Sequence, residues 1–267
     1  MMKKLILCLM PCLLMACGDV FQVHPYDVRF NGETNILEHH IAEIQARCGH
    51  KDTLRVAFVS DTHGWYSDAK DEVASINRRE NLDFVIHLGD LTDTGTTKEF
   101  VWIRRILDGL RLPYVTLIGN HDFLGTGNQT YGQMFGPVDF SFIVSRIKFV
   151  CLNTNATEYD HMAAVPNFDF MEREATADTA LFDRTILLMH APPYGDQFNN
   201  NVVKAFQRYT WIFPQLMFCA YGHNHRQAVN DIYHDGVLYY GVDCAENRNY
   251  YVFTLTPDGY EYEIVYF

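Results

Sequence analysis

From Leu54 onward, short runs of β-branched and aromatic residues alternate with stretches in which apolar residues recur every three or four positions. That alternation is the βαβ signature of a mostly parallel sheet covered by helices. Strands are predicted at 54–60, 84–88, 114–118, 185–189 and 217–221. Phe100, Ile103, Leu107 and Leu110 mark one helical face, with Pro113 beyond its end, and Val202, Phe206, Tyr209 and Phe213 mark another. Two hairpins interrupt the pattern, 139–144 with 148–152 and 250–256 with 260–267, the second turning at Pro257-Asp258-Gly259. Upstream, Asn35-x-x-Glu38 has the form of a capping box for a helix carrying Leu37, Ile41, Ile44 and Cys48. Gly125-Thr126-Gly127-Asn128 lacks the Lys-Ser/Thr of a phosphate loop and reads as a flexible rim loop. Without repeats or linkers, the chain reads as one catalytic domain.

The first residues have a different pattern. Lys3 and Lys4 precede Leu5 to Met15, which is apolar apart from Pro11. Eleven residues are too short for a spanning helix, which needs about 20, and suit an export signal. Leu14-Met15-Ala16-Cys17 resembles the bacterial lipobox, with lipid on Cys17. The expected organisation is therefore a signal peptide at 1–16, a lipid-anchored segment with a short helix at 17–52, and the catalytic domain at 53–267. The expected location is a bacterial membrane, at its periplasmic face or on the cell surface.

Composition narrows the classes. The chain has 267 residues, 48% hydrophobic, with 19 Phe and 16 Tyr, which excludes disorder and can fill a sizeable core. Thirty-three acidic against 21 basic residues give a net charge of −12, which excludes a sequence-blind grip on extended nucleic acid. Cys48, Cys151, Cys219 and Cys244 would remain after processing, with no C-x-x-C pair to suggest a thiolate zinc site. Cys151 and Cys219 lie in apolar runs and read as small core residues, with room for one disulfide in an oxidising compartment.

The chemistry lies in the segments just beyond the predicted strands. In order come Asp61-Thr62-His63, Gly89-Asp90, Gly119-Asn120-His121-Asp122, His190 and Gly222-His223-Asn224-His225. Ligands of open α/β sheets bind beyond the carboxyl ends of the strands, so five loops converge on one crevice. Carboxylate, amide and imidazole without thiolate suit Mn²⁺, Fe²⁺ or Zn²⁺. Two ions need a bridging carboxylate, for which Asp90 at its Gly-Asp turn is the candidate. Gly89, Gly119 and Gly222 leave room for sharp turns.

These five blocks, in this order, resemble the signature of the calcineurin-like metallophosphoesterases, over roughly residues 54–267. The resemblance implies a four-layer αββα sandwich, two mixed sheets with helices outside, and a binuclear metal site at the strand ends. It implies one divalent ion on Asp61, His63, Asp90 and His225 and another on Asp90, Asn120, His190 and His223. His121 would stand beside the scissile bond as a catalytic group, with Asp122 orienting it. The implied activity is hydrolysis of a phosphate ester, diester or monoester, by a metal-bridging hydroxide; the acidic charge favours a small ester, no Ser or Cys stands in a nucleophile motif that would form a phospho-enzyme, and no obligate protein partner is evident. A non-catalytic metal- or ligand-binding lipoprotein on the same fold is the alternative. One departure stands out: the purple acid phosphatase branch has a ligand tyrosine three residues after the bridging Asp, and this chain has Asp93. His87 reads as a group behind the site, and Trp65, Tyr66, Phe123 and Tyr194 as candidate stacking or rim residues. Asn199 to Asn201 are candidate pocket residues. His161, His234 and Asp243 receive no role.

Overall fold

The computed structural model describes His24, residues 26–159 and residues 163–267. The expected signal, Cys17 and His161 lie outside these residues. Two mixed sheets stack face to face between layers of helices. The first has the order β11-β10-β1-β2-β3, from β1 (Leu54–Val59), β2 (Phe84–His87), β3 (Tyr114–Thr116), β10 (Asn249–Thr256) and β11 (Gly259–Tyr266). β1, β2 and β3 are parallel, and the C-terminal hairpin adds to β1 antiparallel.

The second sheet has the order β4-β5-β6-β7-β9-β8. Its strands are β4 (Phe140–Val144), β5 (Ile147–Leu152), β6 (Arg184–Met189), β7 (Leu216–Tyr221), β8 (Ala228–Asn230) and β9 (Tyr239–Gly241). Period-2 alternation explains its near-continuous apolar strands. Phe149, Cys151, Ile186, Leu188, Phe218 and Ala220 face the other sheet, while Val150, Leu152, Leu187, Met189, Cys219 and Tyr221 face a separate cluster under the helices. Aromatic rings fill the space between the sheets: Phe84 meets Phe149 at 5.6 Å, and Phe218 stacks on Phe253 at 4.6 Å.

Helices α1 (Ile36–Cys48), α2 (Tyr66–Arg78), α3 (Thr97–Leu107) and α4 (Gly127–Met134) contribute buried faces to the core of the first sheet. Helices α5 (Phe168–Thr176) and α6 (Val203–Thr210) cover the second. α3 begins with a complete capping box between Thr96 and Glu99.

Several expectations need correction. The Asn35 box does not form, because Asn35 sits at φ 54°, ψ 41° and its side chain caps nothing; its carbonyl takes the Glu38 amide. The expected rim loop at Gly125–Asn128 instead runs into α4 at Gly127. Phe213 lies beyond the end of α6. The four described cysteines are buried and free.

Candidate metal centre

Five of the seven residues expected as metal ligands hold left-handed backbone: Asp61 (φ 51°), His63 (φ 46°), Asp90 (φ 54°), His223 (φ 67°) and His225 (φ 46°). Such φ values are unfavourable for side-chain-bearing residues and concentrate at functional sites, where the surrounding structure enforces them. Here the enforcement is visible in the hydrogen bonds. Asp61 N–H donates to the Gly89 carbonyl at 3.0 Å, and Thr62 and His63 N–H both donate to the Asp90 carbonyl. The turn after β1 is thereby fastened to the turn after β2. The turn after β7 is fastened too, since His223 N–H donates to the Asp61 carboxylate at 2.9 Å.

Two glycines make this convergence possible. A Cβ on Gly119 would collide with the amide and carboxylate of Asp90, and one on Gly222 would collide with Ser60 Oγ and the Asp61 carboxylate.

The side chains form two clusters. Asp61, His63 and His225 bring one ligand atom each to within 4.8 Å of one another, and so do Asp90, His190 and His223; a third such group, His63, Asp90 and His121, shares His63 with the first and Asp90 with the second and brings His121 to their edge. Asp90 joins the clusters: its Oδ2 is 3.5 Å from His63 Nε2 and 3.2 Å from His190 Nε2. Asn120 Oδ1 belongs to the second cluster, 3.1 Å from His190 Nε2 and 3.0 Å from His223 Nδ1. All seven side chains expected as ligands are thus brought together.

The donor set fits divalent cations. Asp61 and Asp90 are buried, and among the described residues no Lys or Arg lies within ion-pair distance of either. Buried anions without a permanent counter-charge are expensive, and besides backbone amides the titratable partners these two have among the described residues are imidazoles. Despite burial, which raises it, the Asp61 carboxyl is held below the usual carboxylate range by the neighbouring imidazoles of His225 and His63. Against the lowering effect of burial, Asp90 raises His190 to about 9. His63 Nε2 and His225 Nε2 stand 3.1 Å apart, close enough for both to reach one cation.

Remote hydrogen bonds fix which imidazole nitrogen turns toward the clusters. His190 Nδ1 donates to the Leu88 carbonyl at 2.8 Å, so Nε2 is the nitrogen turned toward Asp90 and Asn120. His223 Nε2 donates to Asp196 Oδ1 at 2.6 Å, leaving Nδ1 bare toward Asn120. His87 lies behind the site: Gly89 N–H donates to its Nδ1 at 3.2 Å, so its Nε2 is the donor to Thr62 Oγ1 at 2.7 Å. Burial pushes His87 down to about 3, so it is neutral.

The expected pairing of Asp122 with His121 is absent. Asp122 is buried and accepts from Leu91 N–H, Thr92 N–H, Thr92 Oγ1 and Gly119 N–H. His121 opens the 3₁₀ turn that contains both residues, and its Nδ1 donates to the Asp93 carbonyl at 2.7 Å. Asp122 therefore fastens the Asp90 turn to the Asn120 turn, and Asp93 orients His121. Burial and the neighbouring Asp90 raise Asp122 to about 6 despite those donors. Sequence reasoning missed Asp196, whose only signal is its place in the Pro-Pro-Tyr-Gly-Asp loop after His190.

At the mouth, Trp65 meets His63 and His225 edge-on, at 5.3 and 5.6 Å. Tyr194 is exposed, on the loop that also carries Asp196. Asn200 accepts from Tyr194 N–H at 3.0 Å and thereby braces that loop. Tyr66 instead packs edge-on against Trp102, away from the clusters, Phe123 is buried, and Asp243 belongs to a side-chain network with Asn247 and Asn249.

Residues 54–227 match the model of the calcineurin-like phosphoesterase family. A probable cyclic nucleotide phosphodiesterase of Rhodopseudomonas palustris is 31% identical over 137 residues, 46% of this chain and 47% of that protein. A 3′,5′-cyclic-nucleotide phosphodiesterase of Nostoc is 24% identical over 161 residues, 56% of this chain and 58% of that protein. The chain thus spans about half the length of the curated relatives it matches. Among solved structures, a dimetal phosphatase from Danio rerio superposes with a TM-score of 0.63 at 11% identity, over 80% of this chain and 98% of that one. A purple acid phosphatase from yellow lupin seeds gives 0.60 at 15% identity, over 81% and 52%. These likenesses are of fold. With five strand-end loops converging on clusters joined by Asp90, and a family match over residues 54–227 that takes in β1 to β7, the chain belongs to the calcineurin-like phosphoesterase family.

Proposed function

We propose that the chain hydrolyses small phosphodiesters of the cyclic-nucleotide class at a dinuclear centre. Asp61, His63, Asp90 and His225 would hold one divalent cation, and Asp90, Asn120, His190 and His223 the other. The observation that carries this reading is Asp90 Oδ2, within 3.5 Å of an imidazole from each cluster. The donors suit Mn²⁺, Fe²⁺ or Zn²⁺. Such a pair supplies a water that ionises near neutral pH and draws charge from phosphate oxygens.

The chain's own residues do the rest. His121 Nδ1–H is committed to the Asp93 carbonyl, so the departing oxygen takes its proton from Nε2–H of the doubly protonated ring, which is left as the neutral Nδ1–H imidazole. His121 N–H, donating to Asp90 Oδ1 at 2.8 Å, fixes that histidine relative to the bridging carboxylate. Trp65 offers a flat apolar face beside the first cluster, suited to a nucleobase. The names of the two relatives support the diester class, and the net charge of −12 disfavours extended polyanions.

The test is a metal-reconstituted assay with 3′,5′-cyclic AMP, a bis-aryl phosphate and a mono-aryl phosphate. Diesters should exceed the monoester by about tenfold or more in kcat/KM, and Asp90→Asn should lose metal and turnover together. A monoester preference overturns the diester reading; an active Asp90→Asn overturns the shared carboxylate. Export and a lipid on Cys17 complete the proposal, supported by the Leu14-Met15-Ala16-Cys17 string and the short apolar run before it. The mass of the N-terminal peptide from membranes tests them.

A further inference from the structure

The outer face built by α2, α3 and the segment leading into α1 carries chemistry that the reaction does not use. Between the two helices runs a groove of about 590 Å³, walled by Tyr66, Val73 and Trp102 and rimmed by Lys70 and Arg105. Past Trp102 it continues into a second groove of about 610 Å³, with Lys98 on one side and His24 and Phe30 on the other. Trp102 is 40% exposed, its ring lies edge-on to Tyr66 at 5.6 Å, and the Lys98 ammonium sits 4.8 Å from its centre. The Tyr66 hydroxyl is buried without a hydrogen-bond partner. Arg104, on the same helix, is tied to Glu33 and Asp108. Lys70, Lys98 and Arg105, by contrast, form no ion pair with a described residue. An acidic chain thus concentrates three uncompensated cations around one half-exposed indole.

The chain's N-terminal side enters at this face. Thr97 Oγ1, on α3, donates to the Asp27 carbonyl. Seven peptide steps join Cys17 to His24, and fully extended they span at most about 25 Å. A lipid on Cys17 keeps this face within that distance of the bilayer.

We propose that this face docks on the anionic membrane surface, Lys70, Lys98 and Arg105 meeting lipid phosphates and Trp102 lying at headgroup level. The docking rests on the lipoprotein reading for its geometry and on the cations and the indole for its chemistry. Docking on one face fixes how the metal centre is presented to substrate at the membrane.

The full-length protein is reconstituted on vesicles of phosphatidylcholine with and without phosphatidylglycerol, floated, and its lysines are acetylated and read by mass spectrometry. On anionic vesicles Lys70 and Lys98 should react about fivefold or more slowly relative to exposed Lys204 than on neutral ones. Arg105→Glu should diminish that protection. Lys70 and Lys98 reacting as fast as Lys204 on floated protein overturns the docking while leaving the anchor intact. Equal protection on both vesicle types overturns the role of charge, and failure to float with anionic vesicles overturns the docking outright. The lipid on Cys17 is read separately, from the mass of the N-terminal peptide.

Discussion

Asp196 accepts a hydrogen bond from His223 Nε2 at 2.6 Å although its own side chain is 84% exposed, so a carboxylate on a surface loop orients an imidazole of the metal centre. Asp196→Ala should lower affinity for one of two Mn²⁺ ions by about 10- to 100-fold, the usual effect of losing such a partner. Calorimetric titration reads this directly. Undiminished affinity for both ions would remove Asp196 from the centre.

Asp122 accepts four hydrogen bonds in a fully buried setting. Asp122→Ala strands all four donors, and should cost about 3 kcal/mol and lower Tm by roughly 6–12 °C. Denaturant and thermal unfolding measure it. A loss of turnover with unchanged stability would restore a direct catalytic role.

His121→Ala should reduce kcat about 10²- to 10⁴-fold while both metals remain bound, because His121 is expected to move a proton and to ligate neither ion. Metal content measured on the same sample separates the two effects. Retained metal with undiminished turnover excludes the histidine from catalysis.

Glu72 is buried on the sheet-facing side of α2, with no hydrogen bond or ion pair to a described residue, and burial raises it to about 8. Its folded value exceeds its unfolded one, so the native state binds the extra proton. The stability this gives is complete below about 4.5 and is lost as pH rises through about 8, on the order of 5 kcal/mol in all. Glu72→Gln should flatten the fall in stability across that window. An equally steep fall in the variant would assign it to other groups.

The site was legible in sequence where its ligands come after strands as contiguous strings: Gly-Asn-His-Asp and Gly-His-Asn-His declare themselves. The strands before them were legible because both faces of each are covered, which leaves long apolar runs. β8 and β9 were not, being three residues each, and Tyr239–Gly241 has too few positions to show a period. Asn35 misled because a capping string says nothing about φ. The partners of His121 and His223 were hidden for different reasons. A backbone carbonyl at Asp93 leaves no mark in side-chain chemistry, and Asp196 lies 27 residues before the histidine it holds.

The left-handed turns at five of the expected ligands mean that the centre is built under tension. Each such residue costs about 1 kcal/mol or more relative to ordinary backbone, together a sizeable part of what holds a domain folded. Cations held by those side chains would act as a latch on coiled springs. Withdrawing them should let the loops after β1, β2 and β7 recoil first while the strands stay paired, and amide hydrogen exchange would record the order of release.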